Sequence, residues 1–158
     1  REFNHDRYYR QKWPSAAGFV FVNKRLLYQL SLLKKEAEKK FPPAKIELLC
    51  GFRSPAYNLG LLGNNPELKV PFSRHQFGDS VDMILDNDGD GIMDDLNQDG
   101  EIDIKDAFEL KKLAEQAEKK SPFKGGIGWY SHHDVPERTQ SPYVHFDVRG
   151  WKARWKVE

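Results

Sequence analysis

The sequence predicts one α+β domain spanning residues 1–158, on three observations. Its 158 residues suit a single domain and leave no room for two. Two stretches repeat apolar residues at helical spacing, while several short runs have the length and composition of strands. With 39% hydrophobic and 13% aromatic residues the chain can build a core, and its 31% charged residues carry both signs. That composition argues against wholesale disorder. No apolar run approaches the ~20 residues of a membrane-spanning helix. No solenoid-length repeat occurs, and no charged-then-apolar leader stands in this stretch.

The first helix starts after Asn23, a good N-cap, and continues to about Lys40. Leu26, Leu27, Leu30, Leu33 and Ala37 recur along it, with lysines and glutamates opposite. Phe41-Pro42-Pro43 ends it. Lys45 to Cys50 reads as a short strand, and Gly51-Phe52-Arg53-Ser54-Pro55 as a turn opening a short helix with Pro at its first position. Gly63 to Pro66 is loop. Ser80 to Leu85 is a strand bounded by Gly78 and an acidic run. Lys105 to Lys120 is a second amphipathic helix, with Ala107, Phe108, Leu110, Leu113, Ala114 and Ala117 inward. Gly125 to Tyr130 and Tyr143 to Val148 are two further strands joined by a polar loop. The single cysteine, Cys50, excludes an intramolecular disulfide and a cysteine-built metal cluster; beside Ile46, Leu48 and Leu49 it reads as a buried structural thiol.

The net charge of +1 hides an asymmetry. Between Asp86 and Asp106 stand nine acids against one base, Lys105, a local charge of −8 that leaves +9 for the rest. Basic residues gather near the ends, at Arg1, Arg7, Arg10 and Lys12 and again at Arg149, Lys152, Arg154 and Lys156. Within the acidic run, Asp95, Asn97, Asp99, Gly100, Glu101, Asp103 and Asp106 occupy positions 1, 3, 5, 6, 7, 9 and 12 of an EF-hand loop. Asp replaces the usual Glu at the end, as in dockerin-type loops. Asp86, Asp88, Asp90, Gly91 and Asp94 form an overlapping, less complete set with Asn97 as its last member. Calcium takes six to eight oxygens, which alternating carboxylates around a turn glycine can supply. Residues 86–106 are therefore expected to be a calcium-binding insertion for one or two ions, bracing the strand just upstream. The plain alternative is a solvated acidic loop.

Asp82 lies inside the apolar strand Val81-Asp82-Met83-Ile84-Leu85, where an unpartnered carboxylate is costly. Alternation puts it on one face with Ser80 and Ile84. His75 precedes this strand on a loop that Gly78 allows to reverse, and Tyr143-Val144-His145-Phe146-Asp147-Val148 supplies His145. Two histidines and an aspartate are three protein ligands with a fourth position left for water, the donor set of a catalytic zinc. Taken singly, each has a plainer role: a hydrogen-bonded loop histidine, an aspartate capping a turn or paired with Arg53, and a satisfied core histidine.

Ser73-x-His75-x-x-Gly78-x-x-Val81-Asp82, Gly125-Gly126-Ile127-Gly128-Trp129-Tyr130 and Tyr143-Val144-His145-Phe146-Asp147 together resemble the zinc D-alanyl-D-alanine carboxypeptidase family. Within it they are most similar to the branch of zinc carboxypeptidases and murein endopeptidases of bacterial cell-wall metabolism. Gly51-Phe52-Arg53-Ser54-Pro55-Ala56-Tyr57-Asn58 matches that branch's arginine-bearing turn, and the resemblance covers roughly Lys45 to Trp155. It implies a small antiparallel sheet flanked by helices, a fold and zinc site shared with the hedgehog signalling domain. It makes His75, Asp82 and His145 the zinc ligands and gives Arg53 the substrate or the developing oxyanion. Ser73 then bonds substrate or shapes its loop, and Trp129, Tyr130 and Tyr143 line the cleft or belong to the core.

The family's catalytic carboxylate, three residues before the second zinc histidine, is replaced here by Pro142. Asp147 and Glu137 are the substitutes, Asp147 having an alternative role in orienting His145. His132, His133 and Asp134 share Glu137's loop. The expected function is a zinc metallopeptidase acting on peptidoglycan stem peptides or cross-links. Its setting would be extracellular or periplasmic, as a monomer, with no nucleic-acid partner. The rivals are a non-catalytic hedgehog-like zinc and calcium module that binds a partner, and a calcium-dependent adhesion or scaffold domain.

Overall fold

The computed structural model describes residues 21–56, 58, 72–132 and 141–158. Helix α1, Lys24–Lys40, begins where the Asn23 side chain accepts the Arg25 N–H at 3.0 Å. The Asn23 N–H donates to Gly78 O at 2.7 Å, tying the helix start to the turn that carries His75. The buried stripe of α1 is Leu26, Gln29, Leu33, Glu36 and Ala37. Leu27, expected inward, is exposed: it lies next to Leu26 in sequence, some 100° around the helix, off a narrow stripe. Helix α2, Ile104–Lys119, opens with a capping box between Asp103 and Asp106. It buries Ala107, Leu110, Leu113, Ala114 and Ala117 as expected, but Phe108 sits at the rim, tilted against Trp129 at 5.9 Å.

Five strands form one sheet: β1 (Ile46–Cys50), β2 (Ser80–Leu85), β3 (Gly126–Tyr130), β4 (Tyr143–Asp147) and β5 (Ala153–Val157). Their order is β1-β2-β4-β3-β5. The first three pairings are antiparallel, but β5 runs parallel to β3, so the sheet is mixed where an antiparallel one was expected. Strand β5 is not among the expected elements, although Ala153, Trp155 and Val157 alternate there with Arg154 and Lys156. Arg154 faces the helix side, with Nε 2.9 Å from Glu115, Nη2 2.5 Å from Glu118 and Nη1 donating to Gly125 O at 3.0 Å. Trp155 occupies the opposite face.

Both helices lie on one side of the sheet, α2 against β3 and β4 and α1 against α2. Val81, Met83, Ile127, Val144 and Phe146 meet Leu26, Leu33, Leu110 and Leu113 in the core. All six residues of β2 are buried, so its far face is covered too. That cover comes from the arginine-bearing turn and from a 3₁₀ helix, Arg74–Phe77. Pro55 and Ala56 are helical, as expected of the turn's exit. The loop read at Gly63 to Pro66 lies outside the described residues.

Arg154 makes three charge-assisted contacts that hold β5 to α2 and β3. Arg154→Ala is expected to lower stability by about 2 kcal/mol, read as a reduced urea midpoint at unchanged slope. An unchanged midpoint would mean that the β3 ladder and Trp155 hold β5 without Arg154.

Candidate metal centre

Asp82 points away from the helices, and in the ladder it lies opposite His145 on one side and Cys50 on the other. His75 comes from the 3₁₀ turn, whose start is capped by Ser73 Oγ accepting the His75 N–H at 3.4 Å. Ser73 thus shapes the loop that carries His75. Gly78 closes the turn at φ +63°, and a Cβ there would lie 2.8 Å from Phe21 O, so glycine is required twice over. The Arg53 N–H donates to His75 O at 3.0 Å, fastening the arginine turn to the histidine turn. Asp82 Oδ2 lies 3.3 Å from His75 Nε2, and Asp82 Oδ1 lies 2.9 Å from His145 Nδ1. The two imidazole centroids are 5.1 Å apart, and all three side chains are buried.

His75 Nδ1 is 2.7 Å from Gly51 O, a carbonyl that only accepts, so Nδ1 carries a proton there, and Nε2 faces the Asp82 carboxylate. His145 lies between two carboxylates, with Nδ1 2.9 Å from Asp82 Oδ1 and Nε2 3.1 Å from Asp147 Oδ2. Two imidazole nitrogens thus meet one buried carboxylate, an arrangement that needs protons or a cation between them. Burial opposes charge on His75, yet the Asp82 carboxylate raises it to about 10. Burial likewise opposes charge on Asp82, which His75 and His145 nevertheless hold well below the usual carboxylate range. Imidazole and carboxylate donors suit zinc, and the Gly51 carbonyl and Asp147 carboxylate are the outer partners that orient ligating histidines. The residues present fit that ion.

Cys50 departs from its expected role as an inert core thiol. It is half-buried, and its sulfur joins the His75 and Asp82 ligand atoms in a group whose members all lie within 4.8 Å of one another. Arg53 Nε donates to that sulfur at 3.0 Å, while Arg53 Nη2 reaches Asp82 Oδ2 at 3.1 Å. Burial would raise the thiol, but hydrogen bonding to His75 and the Arg53 charge leave it lowered. Nothing in the composition around Cys50 signals this, because its partners come from a turn and a strand distant in sequence.

Asp147 is completely buried, and both its oxygens are engaged. Oδ1 accepts the Gly126 N–H at 2.8 Å and the Arg149 N–H at 3.0 Å, and Oδ2 takes His145 Nε2 and Arg149 Nη2, the latter at 2.5 Å. Although burial opposes it, His145 and Arg149 hold this carboxyl far below its ordinary range. A carboxylate so placed orients His145 and has no free oxygen for a proton in transit. Glu137, His133 and Asp134 lie outside the described residues.

Beyond His145 the same face becomes aromatic. Tyr143 and Tyr130 stack at 4.4 Å, with their planes 8° apart. Trp129 points the other way, to Phe108 and Lys111 on α2, and so belongs to the helix side rather than to the cleft. The wall's missing member is Trp155, which no local pattern singles out. Its ring lies 5.3 Å from that of His145, its Nε1–H donates to Tyr130 Oη at 2.6 Å, and Arg149 stacks over it at 5.1 Å. Trp155 fits there because β3 offers Gly128: a Cβ at that position would lie 2.3 Å from the indole.

The acidic segment is fastened to β2. Asp94 N–H donates to Leu85 O at 2.9 Å, Met93 N–H to Ser141 Oγ at 2.8 Å, and Met93 and Leu96 are buried in the core. Asp86 accepts the Gly89 and Gly91 N–H groups, and Asp95 those of Gln98, Asp99 and Gly100, so the two halves repeat one geometry. The halves differ in charge balance. Asp86, Asp88 and Asp94 bring ligand atoms within 4.8 Å of one another, and burial with the carboxylates of Asp88, Asp86 and Asp90 raises Asp94. In the other half Lys105 answers Asp99 at 2.8 Å and Asp103 at 3.1 Å, while Asp106 is taken up by the Leu96, Asn97 and Asp103 N–H groups. The half with the less complete sequence pattern is thus the one whose carboxylates converge.

No protein-family model matches the chain, and no curated protein matches it. Among solved structures it is similar to the Serratia marcescens L-Ala D-Glu endopeptidase ChiX, at 14% identity and a TM-score of 0.49, over 80% of each chain. A likeness of that degree transfers no residue role, so the role of each side chain rests on its own contacts and chemistry.

A methyl group at Gly128 would meet a rigid indole ring, which must leave its place over β3. Gly128→Ala is expected to lower stability by about 1–3 kcal/mol and to change the environment of Trp155 in near-ultraviolet circular dichroism. Wild-type stability together with an unchanged spectrum would show that Trp155 does not pack over Gly128.

Proposed function

We propose that this chain is a zinc-dependent peptidase that hydrolyses peptide bonds in peptidoglycan stem peptides or cross-links, braced by calcium at its acidic segment. The observation that carries the reading is the pair of histidine nitrogens turned onto buried Asp82, each ring held from behind by an acceptor. His75, Asp82 and His145 hold the ion, which when bound polarises the scissile carbonyl and lowers the pKa of a bound water. Asp147 is a positioning residue for His145. Arg53, already paired with Asp82 and Cys50, presents its remaining guanidinium edge to a peptide carboxylate or carbonyl oxygen. Glu137, ahead of β4, is the carboxylate assigned to proton transfer, since both Asp147 oxygens are engaged. The substrate class comes from the resemblance to murein endopeptidases, and an extracellular or periplasmic setting follows from that substrate.

One observation favours a second reading. If Cys50 joins His75, Asp82 and His145, zinc has four protein ligands and no open position, the mark of a structural site. The chain would then be a non-catalytic, hedgehog-like binding module. Cys50→Ser separates the two: under the peptidase reading zinc content and turnover persist, and under the structural reading zinc is weakened.

Purified peptidoglycan incubated with zinc-loaded protein is expected to release muropeptides cleaved in the stem or cross-link. Glu137→Gln should retain zinc and abolish that release. His75→Ala, Asp82→Ala and His145→Ala should each weaken zinc roughly tenfold or more, because each removes one of three protein ligands. Full zinc occupancy in all three variants would end the assignment.

Calcium is assigned chiefly to Asp86, Asp88, Asp90 and Asp94, with Asp95, Asn97, Asp99, Glu101, Asp103 and Asp106 as the second loop. Binding to the folded state alone would stabilise by about 2.7 kcal/mol at a hundredfold excess over Kd. A melting curve with zinc held constant should shift upward with calcium and fall back with a calcium-selective chelator. Asp86→Ala should remove the shift, and identical midpoints for the wild type with and without calcium would leave the segment a solvated loop.

A further inference from the structure

The row of the sheet that carries the candidate metal ligands continues beyond them. Cys50, Asp82, His145, Gly128 and Trp155 are successive neighbours across β1, β2, β4, β3 and β5. Gly128 contributes no side chain, and the space above it is filled from both sides. Trp155 Nε1 lies 2.3 Å from where a Gly128 Cβ would be and 2.6 Å from Tyr130 Oη. The Tyr130 hydroxyl is therefore drawn back over Gly128, the residue directly opposite His145. Stacking on Tyr143 at 4.4 Å holds the phenol ring, and Trp155, itself 5.3 Å from the His145 ring, holds the oxygen.

The donors already in use separate the two polar groups that flank the site. Arg53, at the Asp82 end, commits Nε to Cys50 and Nη2 to Asp82. Tyr130, beyond His145, uses an oxygen lone pair to accept from Trp155, which cannot accept in return. Among the described residues none accepts the Tyr130 proton. Burial raises this phenol, so at neutral pH it stays protonated and is a donor, and the charges that bear on it are those of Asp82, Arg53 and Arg149.

We propose that Tyr130, positioned by Trp155, donates its hydroxyl proton in a hydrogen bond to the scissile carbonyl oxygen of a bound peptide, opposite Arg53. This rests on the peptidase reading above. As negative charge develops on that oxygen the bond strengthens, and no proton needs to leave Tyr130. Trp155 is the positioning residue, and its indole N–H keeps the Tyr130 proton aimed away from β5.

The test uses the zinc-loaded full chain, a peptidoglycan stem peptide, and a phosphinate analogue of that peptide whose tetrahedral anion mimics the charged oxygen. Tyr130→Phe removes only the hydroxyl. It is expected to lower kcat by roughly 100-fold with KM, zinc content and Tm unchanged. Calorimetric affinity for the phosphinate should fall by about the same factor, while affinity for the uncleaved peptide changes little. Trp155→Phe keeps a ring but loses the N–H, and should show a smaller loss in phosphinate affinity with KM again unchanged. The proposal is overturned if the wild type turns over and binds the phosphinate while Tyr130→Phe does both equally well. A wild type that neither cleaves the peptide nor binds the phosphinate overturns the peptidase reading, and this proposal with it.

Discussion

One buried carboxylate sets the terms for this molecule. Asp82 sits on a strand with no exposed residue, so it is largely withdrawn from bulk water and must be satisfied by protein or by a cation. Three elements far apart in sequence close on it: Arg53 from the turn after β1, His75 from the 3₁₀ helix, and His145 from β4. Each partner brings its own requirement. His75 needs the Gly51 carbonyl, and His145 needs Asp147, which in turn needs Arg149 and the Gly126 N–H. A single unsatisfied charge thereby propagates into a network spanning most of the sheet's width. Breaking any one link leaves a buried charge exposed to a low dielectric, which is why such networks are costly to half-satisfy.

The sheet divides two kinds of chemistry. On the helix side, Val81, Met83, Ile127, Val144 and Phe146 pack against α1 and α2 in an apolar layer. On the other side the same strands carry acids, histidines and aromatic rings. Strand β3 makes this possible through what it lacks. A Cβ at Gly126 would lie 2.5 Å from the Asp147 carboxylate, and one at Gly128 would strike Trp155. The Asp147–Arg149 pair and the Trp155–Tyr130 pair can therefore lie down over β3 and abut His145 from two directions. The acidic segment is attached to this platform by Met93 and Leu96, which enter the core with Asp86 and Asp106, while Asp88, Asp90, Asp94, Asp95 and Asp99 stay nearer the surface.

Much of the framework is legible in local patterns. Asn23 caps its helix as its side chain promises, Asp103, read as a calcium-loop position, caps the second, and the 3.6-residue period marks both buried stripes to within one residue such as Leu27 or Phe108. Strands β1 to β4 fall within a residue of their expected ends. The convergence of His75, Asp82 and His145 is foreshadowed as well, because a carboxylate inside an apolar strand needs explaining wherever it occurs. Strand β5 alternates Ala153, Trp155 and Val157 with Arg154 and Lys156, but its charged face, which such a pattern would turn to solvent, meets α2 instead. What holds Arg154 is a pair of glutamates on α2, distant in the chain.

The sequence by itself therefore determined most of the elements, their buried faces and which side chains could meet a cation, all of which depend on residues a few positions apart. Only the tertiary structure decided which neighbours those side chains keep. It saturates Asp147 with Arg149 and Gly126, brings Cys50 beside His75, lays Trp155 over Gly128, and sets Lys105 among the acids of one half-loop and not the other. Each outcome is a contact between strands, or between a strand and a turn, and depends on register and on the space a missing side chain leaves. Periodicity along one strand carries no information about the register of the next, so those contacts become visible only once the sheet is assembled.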